Sequence, residues 1–176
     1  MKAYIDFDTL ALWVHLASTA LSLGGMAFFV FFYLPLASKL PNEEEFLDRK
    51  VETVRLFINI NGYLMLFMFM SGVVNLLKYK AAYGLDYFRQ VGPVLGIKLG
   101  FVFLYVMLMS MAMFALGMKY IRIAKGLVPA ADRDAALLLY QHKLKRLHWI
   151  LIVLIGIIIY WGIVLVKENG RMFPGV

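Results

Sequence analysis

Two ionisable residues of this chain, His15 and Lys98, stand within long apolar stretches of the sequence. Ionisable groups at membrane depth are expensive and usually functional. A neutral imidazole is the commonest metal ligand in proteins, and a buried lysine can pair with an anionic group or lose its proton and become a ligand. The pair therefore indicates a site for a metal or a metal-containing cofactor. In the structural alternatives, His15 hydrogen-bonds to a neighbouring helix and Lys98 extends its stem towards water.

His148 is a second candidate metal ligand. It begins the last apolar stretch and follows Lys145 and Arg146. We expect it to be an interfacial histidine at the opposite end of the bilayer from His15, with a second ligand site as the alternative.

Methionines form a third candidate set. Met107, Met109, Met111 and Met113 alternate along one apolar stretch, and thioethers suit Cu(I). On a helix only residues three or four apart lie side by side, so two pairs at most could act together. In the alternative they are ordinary apolar residues of a membrane helix.

The composition identifies the class of protein. Hydrophobic residues make up 62% of the 176 residues, charged residues only 16%, and the mean hydropathy is +0.78. Soluble domains carry about a quarter charged residues. The absence of cysteine excludes disulfides, iron–sulfur clusters and covalently attached haem, but not a haem or copper held by His, Met or Lys. The net charge of +7 comes from basic residues flanking apolar stretches, which favours lipid over nucleic acid as partner.

Four stretches are long and apolar enough to span a bilayer, at residues 10–37, 56–77, 93–118 and 149–166. Short polar connections between them predict an all-α, integral membrane, up-down four-helix bundle formed by a single domain, residues 1–176. The connection at residues 78–91 reads as mixed and polar.

Two details of these elements follow from proline. Pro93 suits the first turn of the third span. Pro129 precedes a continuous helical pattern, which predicts a cytoplasmic helix extension over residues 129–148 that joins the fourth span.

Lys and Arg are more numerous in the first and third connections than on the other side. The positive-inside rule then places both termini outside the cytoplasm of a bacterial-type inner membrane. His15 and Lys98 would share the outer leaflet, with Asn75 and Tyr160 brought to the same level. Tyr105 shares a helical face with Lys98.

The first span also carries short motifs: Trp13 and His15 near its start, then Gly24-Gly25, then Tyr33-Leu34-Pro35. The third span begins with Lys98-Leu99. This pattern resembles the CopD copper-resistance family and the HemJ family of four-helix bacterial protoporphyrinogen oxidases. The length and the four spans are closer to HemJ.

The resemblance implies haem b, or a porphyrin, between the spans. His15 would bind the iron, and Lys98 would be its partner or would contact a propionate. It further implies an oxidoreductase or electron-transfer protein, with a quinone or another redox protein as partner and a small substrate such as a porphyrinogen. The alternatives are a CopD-type copper protein and a cofactor-free anchoring subunit in a larger complex. An oligomer is compatible with each.

Overall fold

The computed structural model describes residues 6–41 and 43–172, and this part of the chain is all-helical without a strand. The all-α prediction is confirmed. Helix α1 consists of Phe7–Phe28, a π-helical segment at Phe29–Tyr33 and a last turn at Leu34–Ala37. Helices α2 and α3 cover Glu44–Ala82 and Gly84–Ala124, and α4 is Arg133–Met172. A second π-helical segment, Met111–Gly117, lies within α3.

All four helices are long and apolar enough to cross a membrane. The outward surface of the bundle is apolar as well: the side chains of Trp13, Phe32, Phe103 and Phe114 are 66%, 67%, 73% and 68% exposed. A water-soluble bundle turns its polar face outward, whereas lipid solvates these aromatic side chains. The chain is therefore a multi-pass membrane protein, as predicted.

The junction between α2 and α3 differs from its prediction. Helical structure continues through residues 78–91, interrupted only at Gly84, where φ is 61° and ψ is −144°. Glycine populates such positive φ values at little steric cost. Tyr79 and Tyr87 stack across the junction with ring centroids 5.2 Å apart. Pro93 consequently lies inside α3 rather than in its first turn.

Helix α4 confirms the predicted continuity between the extension and the last span. It begins at Arg133, slightly later than expected, and runs unbroken to Met172. The Asp132 carboxylate accepts a hydrogen bond from the Ala135 N–H at 3.0 Å and so caps the first turn. Its 40 residues correspond to about 60 Å of helix, about twice the thickness of the hydrocarbon core. Part of α4 must therefore project from the membrane.

The bundle core is narrow and apolar, with a few polar side chains. Tyr105, Met109, Leu151 and Ile155 are completely buried along α3 and α4. The bundle has two halves, the His15 half and the His148 half, each named after the histidine that it contains.

Candidate cofactor site at His15 and Lys98

The His15 imidazole is oriented by α2. Its Nδ1 lies 2.9 Å from the Met68 carbonyl oxygen and 3.2 Å from the Ser71 hydroxyl oxygen. A carbonyl only accepts, so we assign the ring proton to Nδ1 as the donor. The Ser71 hydroxyl donates to the Phe67 carbonyl at 2.6 Å, which leaves its oxygen available to accept. A neutral ring then carries its lone pair on Nε2, which no described residue contacts by a hydrogen bond.

Gly72 provides the space for this ring. A Cβ atom at Gly72 would lie only 3.2 Å from His15 Cε1. The imidazole therefore lies close against the backbone of α2, one turn from its carbonyl partner. The arrangement matches the structural expectation of a histidine bonded to a neighbouring helix. It also matches the second-shell geometry that fixes the tautomer of a metal-ligating histidine.

Lys98 lies in the same half of the bundle, where its charge contributes to the electrostatic environment of the imidazole. Its side chain is half-buried and packs at Gly162 of α4, where a Cβ would lie 3.6 Å from the lysine Nζ. No described residue forms a hydrogen bond or ion pair with that Nζ. The structure thus places both candidate residues in this half and leaves a nitrogen on each without a partner in the described chain.

A buried polar network lies about two helical turns, roughly 10 Å, further into the bundle. The Tyr105 hydroxyl and the Ser22 Oγ are 3.1 Å apart, and Ser22 Oγ donates to Asn61 Oδ1 at 3.4 Å. Asn61 Nδ2 donates to the Phe57 carbonyl at 3.0 Å. The network closes the bundle beneath the His15 site. The sequence places Tyr105 on the same helical face as Lys98 but does not show that it joins Ser22 and Asn61.

Asn75 and Tyr160 differ in their exposure. Asn75 is half-buried and has no described hydrogen bond. Tyr160 is 61% exposed and packs edge-on against Trp161, with ring centroids 5.8 Å apart. The expectation that Tyr160 faces the same cavity as His15 is wrong. Gly162 faces Lys98, and a step of two residues turns an α-helix by about 200°, so Tyr160 points outward to lipid.

His148 is 2% exposed, so the expectation of an interfacial histidine is wrong. Its Nδ1 donates to the Leu144 carbonyl at 2.8 Å, and the Phe29 and Phe57 ring centroids lie 5.2 Å from that of the imidazole. Its buried Nε2 has no hydrogen-bond partner among the described residues. Phe29 is about 20 Å along α1 from His15. The two histidines therefore cannot ligate one metal.

The two methionine pairs differ in burial. Met109 and Met113 are buried, at 0% and 5% exposure, whereas Met107 and Met111 are 50% and 45% exposed. Among the described residues no group of three His, Cys, Asp or Glu side chains could hold a bare metal ion. In haem, the porphyrin ring supplies four nitrogen ligands to the iron. The protein then needs to supply only an axial ligand. The donor set at His15 and Lys98 fits that requirement.

Comparisons of the chain with family models, with curated proteins and with solved structures gave no match. They assign neither a family nor a function to it. The geometry of the His15 half is therefore the basis for a functional conclusion.

Proposed function

We propose that this membrane protein binds haem b in its His15 half and acts in electron transfer, with His15 as the axial ligand. The observation that carries the proposal is the hydrogen bond from His15 Nδ1 to the Met68 carbonyl at 2.9 Å. It fixes the tautomer and leaves the Nε2 lone pair without a described hydrogen-bond partner, which is the form in which histidine binds iron.

Each residue then has a defined role. Met68 and Ser71 accept the hydrogen bonds that hold the His15 ring, and Gly72 leaves room for the ring against α2. Lys98 supplies positive charge for a propionate, or a neutral amine as a second ligand. When bound, the haem would supply one-electron redox chemistry, while the surrounding helices exclude water and set the potential.

The resemblance of the Trp13–Pro35 and Lys98-Leu99 motifs to the CopD and HemJ families supports the same site. It extends the proposal to quinone-linked oxidation of a small reduced substrate such as a porphyrinogen. The distribution of Lys and Arg supports a bacterial-type inner membrane with both termini outside the cytoplasm.

The test is a reduced-minus-oxidised visible spectrum of the full chain, purified in mild detergent and supplied with haem. We expect a b-type spectrum that is lost in His15→Ala and retained in His142→Ala. His142 is an exposed histidine and serves as the matched control. Circular dichroism would verify that the helices persist in both variants.

Two results would contradict the proposal. A b-type spectrum that survives His15→Ala would move the haem to another ligand, such as His148. A colourless protein after haem addition would remove haem altogether, and copper titration would then separate the CopD-type alternative from a cofactor-free anchoring subunit.

A further inference from the structure

Two lysines converge on one aromatic ring where α3 and α4 meet, in the His148 half. Lys119 Nζ lies 5.4 Å from the ring centroid of Tyr140, and Lys143 Nζ lies 5.1 Å from it. The electron-rich face of an aromatic ring attracts an ammonium group. Tyr140 therefore brings together two like charges that would otherwise repel each other.

Neither ammonium group is neutralised by a described carboxylate. Ion pairs elsewhere on the surface join Arg49 to Glu45, Arg89 to Asp86 and Arg171 to Glu168. Lys119 and Lys143 are both exposed. An anion near the Tyr140 ring would interact favourably with both charges, which a solitary surface lysine cannot provide.

An apolar groove lies on the same pair of helices. It has a volume of about 350 Å³ and is lined by Phe101 and Leu104 of α3 and by Trp149, Ile150, Val153, Leu154 and Ile157 of α4. Steps of seven, eleven and fourteen residues keep a helical face, so Ile150, Leu154 and Ile157 follow Lys143 along α4. The groove begins about 10 Å from Lys143.

Together these features form a cationic site at Lys119 and Lys143, which is followed along α4 by the apolar groove. We propose that this α3/α4 seam binds an anionic phospholipid, with the headgroup phosphate at Lys119 and Lys143 near the Tyr140 ring and an acyl chain in the groove. A soluble phosphate would use only the lysine pair and would leave the groove without a role. General attraction of basic residues to anionic membranes would need neither the shared ring nor the groove. The proposal does not depend on haem.

The first experiment measures retention of phosphatidylglycerol by the full chain in detergent, using native mass spectrometry with phosphatidylcholine as competitor. The double variant K119Q/K143Q should lower the ratio of bound phosphatidylglycerol to phosphatidylcholine by about tenfold or more, since two headgroup contacts are lost. The control K39Q/K80Q removes the same charge from exposed sites outside α3 and α4. It should leave the ratio within about twofold of the unmodified protein.

A second variant tests the groove separately. Val153→Trp changes a side chain that is 58% exposed, so it fills the groove from the surface without disturbing the core. It should lower phosphatidylglycerol retention while both lysines remain. Equal losses in the seam and control double variants would overturn the proposal in favour of unspecific attraction. Displacement by inorganic phosphate together with no effect of Val153→Trp would overturn it in favour of a free-anion site.

Discussion

His15 is held by a neighbouring helix, and this makes its position sensitive to single atoms of α2. The ring occupies the volume that a side chain at residue 72 would need, while its Nδ1 proton bonds one turn away at Met68. A shift of the ring would break that bond and redirect Nε2. The orientation of the candidate ligand is therefore a property of α2 as much as of α1.

Gly72→Ala should displace the His15 ring and weaken haem binding by about tenfold, because the new methyl group would lie 3.2 Å from Cε1. Haem titration followed by absorbance would measure it. Gly96→Ala is the matched control, since a Cβ there meets nothing within 4 Å. It should leave haem affinity unchanged and raise stability slightly, as Gly to Ala does at compatible helical positions. Equal haem affinities in the two variants would remove the role assigned to Gly72.

At the level of residues, His15 and Lys98 could be found from the sequence because an ionisable group in an apolar stretch is conspicuous. Which side of each helix faces the core and which faces lipid was harder to predict. A membrane helix is apolar on both its lipid side and its core side, so hydrophobic periodicity gives little information on orientation. The errors at Tyr160 and His148 have this cause: the first faces lipid and the second is buried despite its basic neighbours.

Among the helices, the kink that joins α2 to α3 depends on one glycine, Gly84. Gly84→Ala should destabilise the protein by about 1 kcal/mol, because a side chain at φ 61° is strained even though a Cβ there meets no other atom. Thermal unfolding in detergent would measure it. Gly92→Ala also adds a methyl group in open space, but without a positive φ. It should be neutral or stabilising, and a Gly84→Ala variant as stable as Gly92→Ala would contradict this explanation.

The number and apolar extent of the helices could be predicted because about 20 apolar residues are needed to cross the bilayer. Their full lengths could not. Helical hydrogen bonding continues beyond the apolar segment wherever no residue interrupts it, and polar residues such as Lys78, Lys80 and Arg89 do not. The single interruption, Gly84, is a lone glycine in a polar stretch and carries little signal by itself.

On the scale of the whole molecule, the half-buried His15 and the buried His148 divide the bundle into two halves with different chemistry. His15 shares its half with Lys98, a lysine without a described partner, whereas His148 lies against the stacked Phe29 and Phe57 rings, whose centroids are 3.9 Å apart. A polar layer at Ser22, Asn61 and Tyr105 separates them. Under the proposed function, the dense aromatic packing around His148 leaves the His15 half as the site for haem.

His148→Phe distinguishes one cofactor from two. The change keeps an aromatic ring and removes Nε2, a buried acceptor without a described hydrogen bond. It also removes the Nδ1 bond to the Leu144 carbonyl, but this carbonyl lies inside α4 and keeps its helical backbone donor. Replacing such a group by an apolar one is neutral or stabilising. We therefore expect an unchanged or higher unfolding temperature and an unchanged haem-to-protein ratio of one, measured by pyridine haemochrome absorbance. A fall from two haems to one in the variant would instead identify His148 as a second axial ligand, and the bundle would then hold redox centres about 20 Å apart along α1.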